Sequence, residues 1–122
     1  MKLGDSFHIS GHLWIVVSIP ATDGSVAMVN LTSHRQPCDE TCVLDVGDHP
    51  FVRHKTIVAY AFAQMVPVSH HARVLQQPRG AAADRKLLER IWRGAKVSLA
   101  TPPKVLLAIE ATLAAQAKPA GK

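Results

Sequence analysis

The sequence predicts an α+β fold, a small antiparallel β-barrel followed by a C-terminal helical hairpin. Three observations support this prediction. The chain has 122 residues, which suits one domain. Its first half holds short runs of β-branched and aromatic residues at hairpin spacing. Its second half changes to apolar positions at helical spacing, beside a cationic face. We therefore expect a barrel over residues 1–70, a linker over 71–83, helices over 84–116 and a flexible tail over 117–122.

Short apolar runs mark the predicted strands. A first strand opens after Gly4-Asp5, and "HLWIVVSIP" (12–20) follows it and ends at a proline. The Asp-Gly pair in "ATDGS" favours a tight hairpin, since both central residues tolerate positive φ. "VAMVNLTS" (26–33), a short "CVLDV" and "TIVAYAFAQMVP" (56–67) complete four or five strands. This spacing is typical of a small antiparallel barrel or sandwich.

Two helices are predicted after the linker. Asp84 is a candidate N-cap for the first, whose apolar stripe runs from Leu87 to Ala95. Arginine and lysine occupy the opposite face of that helix. Thr101 before Pro102-Pro103 marks the second helix start, with a hydroxyl cap and prolines in the first turn. This helix is expected to end near Gln116.

The net charge of +5 is unevenly distributed. Residues 1–70 carry four Lys/Arg against six Asp/Glu, whereas residues 71–122 carry ten against three. This distribution excludes a uniformly basic nucleic-acid coat. The basic half either attracts an anionic partner by long-range steering or is a solvated helical face.

No signal peptide and no membrane-spanning run is visible, so we expect a cytoplasmic protein without a membrane partner. Two cysteines lie four apart in "PCDETC", and the cytosol would keep them reduced. A zinc site made by His34, Cys38, Cys42 and His49 is the alternative. Its ligand spacing differs from that of the usual zinc knuckle, and no metal or cofactor is predicted.

The segment "GDHPFVRHKT" (47–56) concentrates groups suited to RNA chemistry. Histidine can serve as base and acid near neutral pH, because its reference pKa is about 6.5. Arginine and lysine can stabilise a phosphate. His49 is the predicted catalytic imidazole, held by a turn between Gly47 and Pro50. His54 and Lys55 should face opposite ways, so at most one of them joins the site; Lys55 is favoured.

The order of "MKLGDSFHI", "HLWIVVSIP", "VAMVNLTS" and "HKTIVAYAFAQMV" resembles the MazF/PemK-like toxins over residues 1–68. The resemblance implies an SH3-like barrel that cleaves single-stranded RNA without a metal, usually as a homodimer with a cognate antitoxin. It also implies a catalytic hydroxyl at Thr32, with Ser33 beside it. The family's arginine near the first hairpin is absent, and His12 is the candidate to replace it.

The predicted function is therefore a toxin-like, metal-independent endoribonuclease that leaves a 2′,3′-cyclic phosphate. It requires the sheet to bring His49 onto the same wall as Thr32 and Ser33. The predicted RNA contacts are Arg53, His54, Arg35, Tyr60, Arg90 and Arg93. Tyr60 either stacks on a base or belongs to the barrel core. The alternative function is a non-catalytic module that binds nucleic acid or protein through the basic helix.

Overall fold

A computed structural model describes residues 1–117 as an α+β fold with one curled, antiparallel five-stranded sheet and three helices. Apart from Ala117, which ends the last helix, the predicted tail lies outside the described residues. No helix among residues 1–117 combines the length and apolar character needed to cross a bilayer. In chain order the elements are β1 (Ser6–Ile9), β2 (His12–Val16), β3 (Val26–Ser33), β4 (Val43–Leu44), β5 (Thr56–Val66), α1 (Val68–Leu75), α2 (Arg85–Val97) and α3 (Pro103–Ala117).

The strands lie in the order β1-β2-β3-β5-β4, and all neighbours are antiparallel. The β1–β2 hairpin closes through Ser10 and Gly11, whose φ angles are 51° and 80°. Two consecutive positive φ angles define the tight turn that matches the twist of a hairpin. At the same end of the sheet as this turn, Ser33 pairs with Thr56, so β3 ends where β5 begins.

The main hydrophobic core lies between one face of the sheet and helices α2 and α3. Trp92 is buried and its Nε1 donates to Val17 O at 2.7 Å. Ile109 is buried in the same core, and Thr112 accepts the Ile19 N–H at 3.0 Å. The helices therefore complete the core of the sheet. A second cluster on the opposite face includes Phe7 and Met28.

The strand pattern read from the sequence is confirmed for β2, β3 and β5, and so is the start of α2. Asp84 Oδ1 accepts the Leu87 N–H at 2.8 Å, as an N-cap should. The prediction that the Thr101 hydroxyl caps the N-terminus of α3 is wrong. The Thr101 hydroxyl donates to Ala95 O at 2.9 Å, at the end of the preceding helix, because the short connection folds it back.

The segment expected to be a linker is ordered. Helix α1 crosses the boundary placed at residues 70 and 71. Beyond it, residues 78–83 run along the edge of β1: Pro78 O accepts the His8 N–H at 2.8 Å, and Gly80 N donates to Ser6 O at 3.0 Å. We call residues 78–83 the strap. Backbone pairing with β1 gives the strap its conformation, and such pairing leaves little trace in local sequence.

Helix α2 is tied to β4 and the following turn by Arg90. Its guanidinium donates to Val43 O at 2.8 Å and lies 2.8 Å from Asp48 Oδ1. The Asp45 N–H donates to the other Asp48 oxygen at 2.8 Å. This backbone N–H, together with Arg90, holds the pKa of Asp48 below its ordinary value.

The lowered pKa of Asp48 predicts an acid-sensitive contribution to stability. The ionised form is the one favoured by folding, so the contribution is complete above the carboxyl's ordinary pKa and is lost as pH falls through the lowered one. We expect Asp48→Asn to cost about 1 kcal/mol of unfolding free energy at pH 7, since the pair is partly exposed. Urea unfolding from pH 7 to 2 measures this. The difference from wild type should shrink in acid, whereas Glu110→Gln, at an exposed carboxyl of α3, should show no such trend.

Candidate functional site

A cleft of about 230 Å³ opens at the end of the sheet where the β1–β2 turn meets the end of β3. The segment 51–54, which leads into β5, forms its remaining wall. Imidazoles, hydroxyls and apolar side chains share the lining. The lining residues are His8, Gly11, His12, Leu13, Leu31, Thr32, Ser33, Phe51, Val52, His54 and Thr56.

The β1–β2 hairpin brings two histidines to the cleft. His8 pairs with Leu13 across the hairpin, and His12 pairs with Ile9 next to the turn. The two-residue turn places both residues at the same end of the sheet, four positions apart along the chain. His12 is exposed and His8 is half-buried, so solvent or substrate reaches His12 more freely.

The third histidine comes from the segment before β5. The Nε2 atom of His54 lies 2.7 Å from the Ser33 hydroxyl, within hydrogen-bond distance. The Thr56 hydroxyl donates to His54 O at 2.9 Å and so fixes the backbone that carries the ring. Because Ser33 pairs with Thr56, the end of β3 and the start of β5 set this geometry together.

Phe51 forms the aromatic wall of the cleft. Its ring meets the His8 imidazole edge-on, with centroids 4.6 Å apart and planes at 78°. The side chain is 43% exposed, so part of its face is open to a ligand. An exposed aromatic face beside polar groups is a suitable surface for a nucleic-acid base.

The lining of the cleft is polar but carries no carboxylate, lysine or arginine among the described residues. An anionic group can therefore enter without meeting a negative charge. The three histidines can exchange protons or donate to an anion, and the Ser33 hydroxyl can orient the His54 ring. The arrangement is suited to general acid–base chemistry on a phosphate ester.

The structure does not place His49 in this cleft. The ring is buried, 3% exposed, and its Nε2 lies 2.8 Å from Ala81 O in the strap. Its Nδ1 accepts the Phe51 N–H at 3.1 Å. Both ring nitrogens are thus bonded to backbone groups, which leaves no atom available to a substrate. His49 is absent from the lining that includes Thr32 and Ser33, and Ala81 O, 32 residues away in the chain, holds its ring, so its predicted catalytic role has no support here.

Two of the predicted RNA contacts have structural roles. Tyr60 is fully buried and its hydroxyl donates to Ile91 O at 2.8 Å, so it belongs to the core and cannot stack on a base. Arg90 is engaged by Asp48 and Val43 O. Both roles depend on helix α2: Tyr60 of β5 bonds to it, and Arg90 of α2 bonds to β4.

The other predicted residues divide between the cleft and the open surface. Thr32, Ser33, His12 and His54 line the cleft. Lys55 and Arg53 are exposed and lie outside its lining, although both flank His54 in sequence. Arg53 lines a neighbouring depression with Val46 and Pro50. The remaining predicted RNA contacts, Arg35 and Arg93, are exposed.

Three of the four residues of the zinc alternative have separate partners or surroundings. His34 Nε2 lies 2.5 Å from Glu40 Oε2, and His49 is held by Ala81 and Phe51. Cys42 is buried, and burial raises the pKa of its thiol. Within residues 1–117, no group of three or more His, Cys, Asp or Glu side chains is arranged to hold a metal ion.

Sequence reasoning did not assign a role to His8, Phe51 or Thr56. One available signal was the Ser10-Gly11 pair, a two-residue turn that places His8 and His12 at one end of a hairpin. Nothing local indicates that Phe51 contacts His8, since 43 residues separate them. No family model matches this sequence, and no curated protein matches it either.

Proposed function

We propose that the protein is a metal-independent endoribonuclease that cleaves single-stranded RNA. The observation that carries the proposal is the cleft in which His8, His12 and His54 accompany Thr32 and Ser33 without a carboxylate. Transfer of a proton from a 2′-hydroxyl, and of another to a 5′-oxygen, needs two groups that titrate near neutrality. Imidazoles meet that requirement, and here they line a cavity open to a phosphodiester.

The chemistry assigns His54 and His12 as the base and acid pair, because both are exposed at the cleft. The base takes the 2′-hydroxyl proton as the 2′-oxygen attacks phosphorus, and the acid protonates the departing 5′-oxygen. The products are a 2′,3′-cyclic phosphate and a 5′-hydroxyl end. His8 and Thr32, which also line the cleft, are assigned to donate to the phosphate oxygens during this step.

The surroundings of the cleft fit an extended RNA strand. Phe51 offers an exposed aromatic face for a base. Arg53 and Lys55 are exposed on either side of His54 in the chain and supply cations for flanking phosphates. Lys55 is therefore assigned to phosphate binding and not to catalysis, and His49 has no catalytic role in this proposal.

The resemblance to MazF/PemK-like toxins supports the same proposal. We propose that the curled five-stranded sheet is the SH3-like barrel implied by that resemblance, with α2 and α3 as its C-terminal hairpin. A homodimer, a cognate antitoxin and a cytoplasmic location stay predictions. Thr32 and Ser33, the hydroxyls carried over from the family, both line the cleft.

Incubation of the purified protein with single-stranded RNA in excess EDTA tests the proposed function. We expect internal cleavage with 2′,3′-cyclic phosphate ends, because the 2′-oxygen is the nucleophile. DNA of the same sequence should stay intact, since it lacks that oxygen. Intact RNA after long incubation with excess folded protein, checked by circular dichroism, would contradict the proposal.

A second candidate function is binding of an anionic partner through α2. Arg85, Lys86, Arg93 and Lys96 are all exposed on this helix. Steep loss of affinity with salt would identify a phosphate-rich partner. RNA that binds in this way and is never cut, with binding lost on Arg93→Glu and kept on His54→Ala, would favour the second candidate over the first.

A further inference from the structure

His49 is a buried imidazole that the proposed reaction does not use, and its bonds reach two distant parts of the chain. Nε2 lies 2.8 Å from Ala81 O, and Nδ1 lies 3.1 Å from Phe51 N. A carbonyl oxygen can only accept a hydrogen bond and an amide N–H can only donate one. The ring is therefore the neutral tautomer with its proton on Nε2, which donates to the strap and accepts from the Phe51 backbone.

Phe51 connects this buried ring to the cleft. The Phe51 side chain lies between two imidazoles, with centroid distances of 5.8 Å to His49 and 4.6 Å to His8. The strap packs closely on the same residue, since a Cβ built on Gly80 would be 3.4 Å from Phe51 Cε2 and 2.7 Å from Ser6 Oγ. The Phe51 backbone is thus bonded to His49, and the Phe51 ring contacts His8.

We propose that His49 is a positioning residue for the cleft, which acts through Phe51 on His8. The hydrogen bond to Nδ1 holds Phe51, the aromatic wall of the cleft, in place, and the hydrogen bond from Nε2 connects this segment to the strap. The proposal rests on the proposed ribonuclease function, in which Phe51 and His8 contact the substrate. The two ring nitrogens have different roles in this proposal. Loss of the Nδ1 bond lowers RNA cleavage activity, and loss of the Nε2 bond lowers the stability of the fold.

Two substitutions separate the two bonds. In His49→Asn the side-chain oxygen takes the position of Nδ1 and can accept the N–H two residues on, as asparagine does in an Asx turn. In His49→Gln the longer amide can place an N–H near the position of Nε2 and donate to Ala81 O. Each variant keeps one bond and gives up the other, whereas His49→Ala removes both.

The expected results are opposite for activity and for stability. We expect His49→Gln and His49→Ala to lose about tenfold in kcat/KM, because a displaced wall misplaces the reacting groups, and His49→Asn to stay within about twofold. The Tm should follow the other order, with His49→Gln above His49→Asn. A purely structural histidine would make both quantities fall together. Activity that follows Tm across the three variants would overturn the proposal while leaving the ribonuclease function intact.

A second measurement needs no RNA. Amide hydrogen exchange at Phe51, followed by NMR, should be slow in wild type and in His49→Asn and faster in His49→Gln and His49→Ala. Equal exchange in all four proteins would overturn the role of Nδ1. If wild type fails to cleave RNA, the proposed function fails, and with it the assigned effect on activity. The exchange rates then still decide whether His49 holds the Phe51 segment.

Discussion

His54→Ala is expected to lower the rate of RNA cleavage by about 10² to 10⁴, the usual contribution of a general acid or base. The reason is the position of this imidazole: it is exposed at the cleft and its Nε2 is 2.7 Å from the Ser33 hydroxyl. Single-turnover cleavage of a labelled RNA, measured from pH 5 to 9, gives the effect. Wild type should show a bell-shaped profile, and the variant should lose one limb of it.

Two further variants show whether His54 transfers a proton. His54→Gln can retain a hydrogen bond to Ser33 but cannot titrate, so it should lose as much activity as His54→Ala. His70 supplies the matched control, because it is an exposed histidine on α1 outside the cleft, and His70→Ala should cleave like wild type. Near-normal activity of His54→Gln would reduce His54 to a hydrogen-bonding role, and full activity of His54→Ala would remove it from the mechanism.

Gly94→Ala is expected to destabilise the protein by roughly 2–3 kcal/mol, although alanine is the better helix former. A Cβ built at this position of α2 would lie 2.2 Å from the Tyr60 hydroxyl and 3.2 Å from Cys42 Cβ. Real Cβ atoms do not approach another atom to 2.2 Å, and the Tyr60 ring is rigid and buried, with its hydroxyl donating to Ile91 O. Either the helix moves away from β5 or that hydrogen bond breaks. Urea unfolding measures the loss, which corresponds to a Tm about 10 °C lower.

The identity of the colliding atom can be tested by a second substitution. Tyr60→Phe removes the hydroxyl, so Gly94→Ala should cost less in that background than in wild type. Lys96→Ala, an exposed substitution two residues away on the same helix, should change stability by less than about 0.5 kcal/mol. A Gly94→Ala protein as stable as wild type would show that helix propensity outweighs the contact.

Local sequence predicted the elements whose signals are themselves local. The strands from 12 and from 26 follow from β-branched runs, and the start of α2 follows from the Asp84 cap and the apolar stripe behind it. Helix α1 has no buried residue and no side-chain cap, so its sequence offered no comparable signal. The strap (residues 78–83) is defined by backbone pairing with β1, which is far from it in sequence.

The candidate site was predicted only in part, because residue types are visible in the sequence and long-range contacts are not. Thr32, Ser33 and His12 were named through the family resemblance and line the cleft, whereas His54, named as an RNA contact, lines it in place of the favoured Lys55. His49 had the more promising local context, a rigid turn, yet it is buried beneath Phe51. Tyr60 and Arg90 were also named as RNA contacts, but Tyr60 is a core residue that donates to Ile91 O, and Arg90 of α2 is engaged by Asp48 and Val43 O. Residue type indicates what a side chain can do, whereas its partners decide what it does.

The sequence by itself determined that this chain builds an antiparallel sheet followed by helices, with histidines and hydroxyls concentrated near two strand ends. Hydrophobic periodicity, turn residues and caps act over a few residues, so they can be read directly. Only the tertiary structure decided which of those histidines share a cleft. That outcome depends on Ala81 O for His49 and on Ser33 for His54, contacts that span 32 and 21 residues and have no local signature.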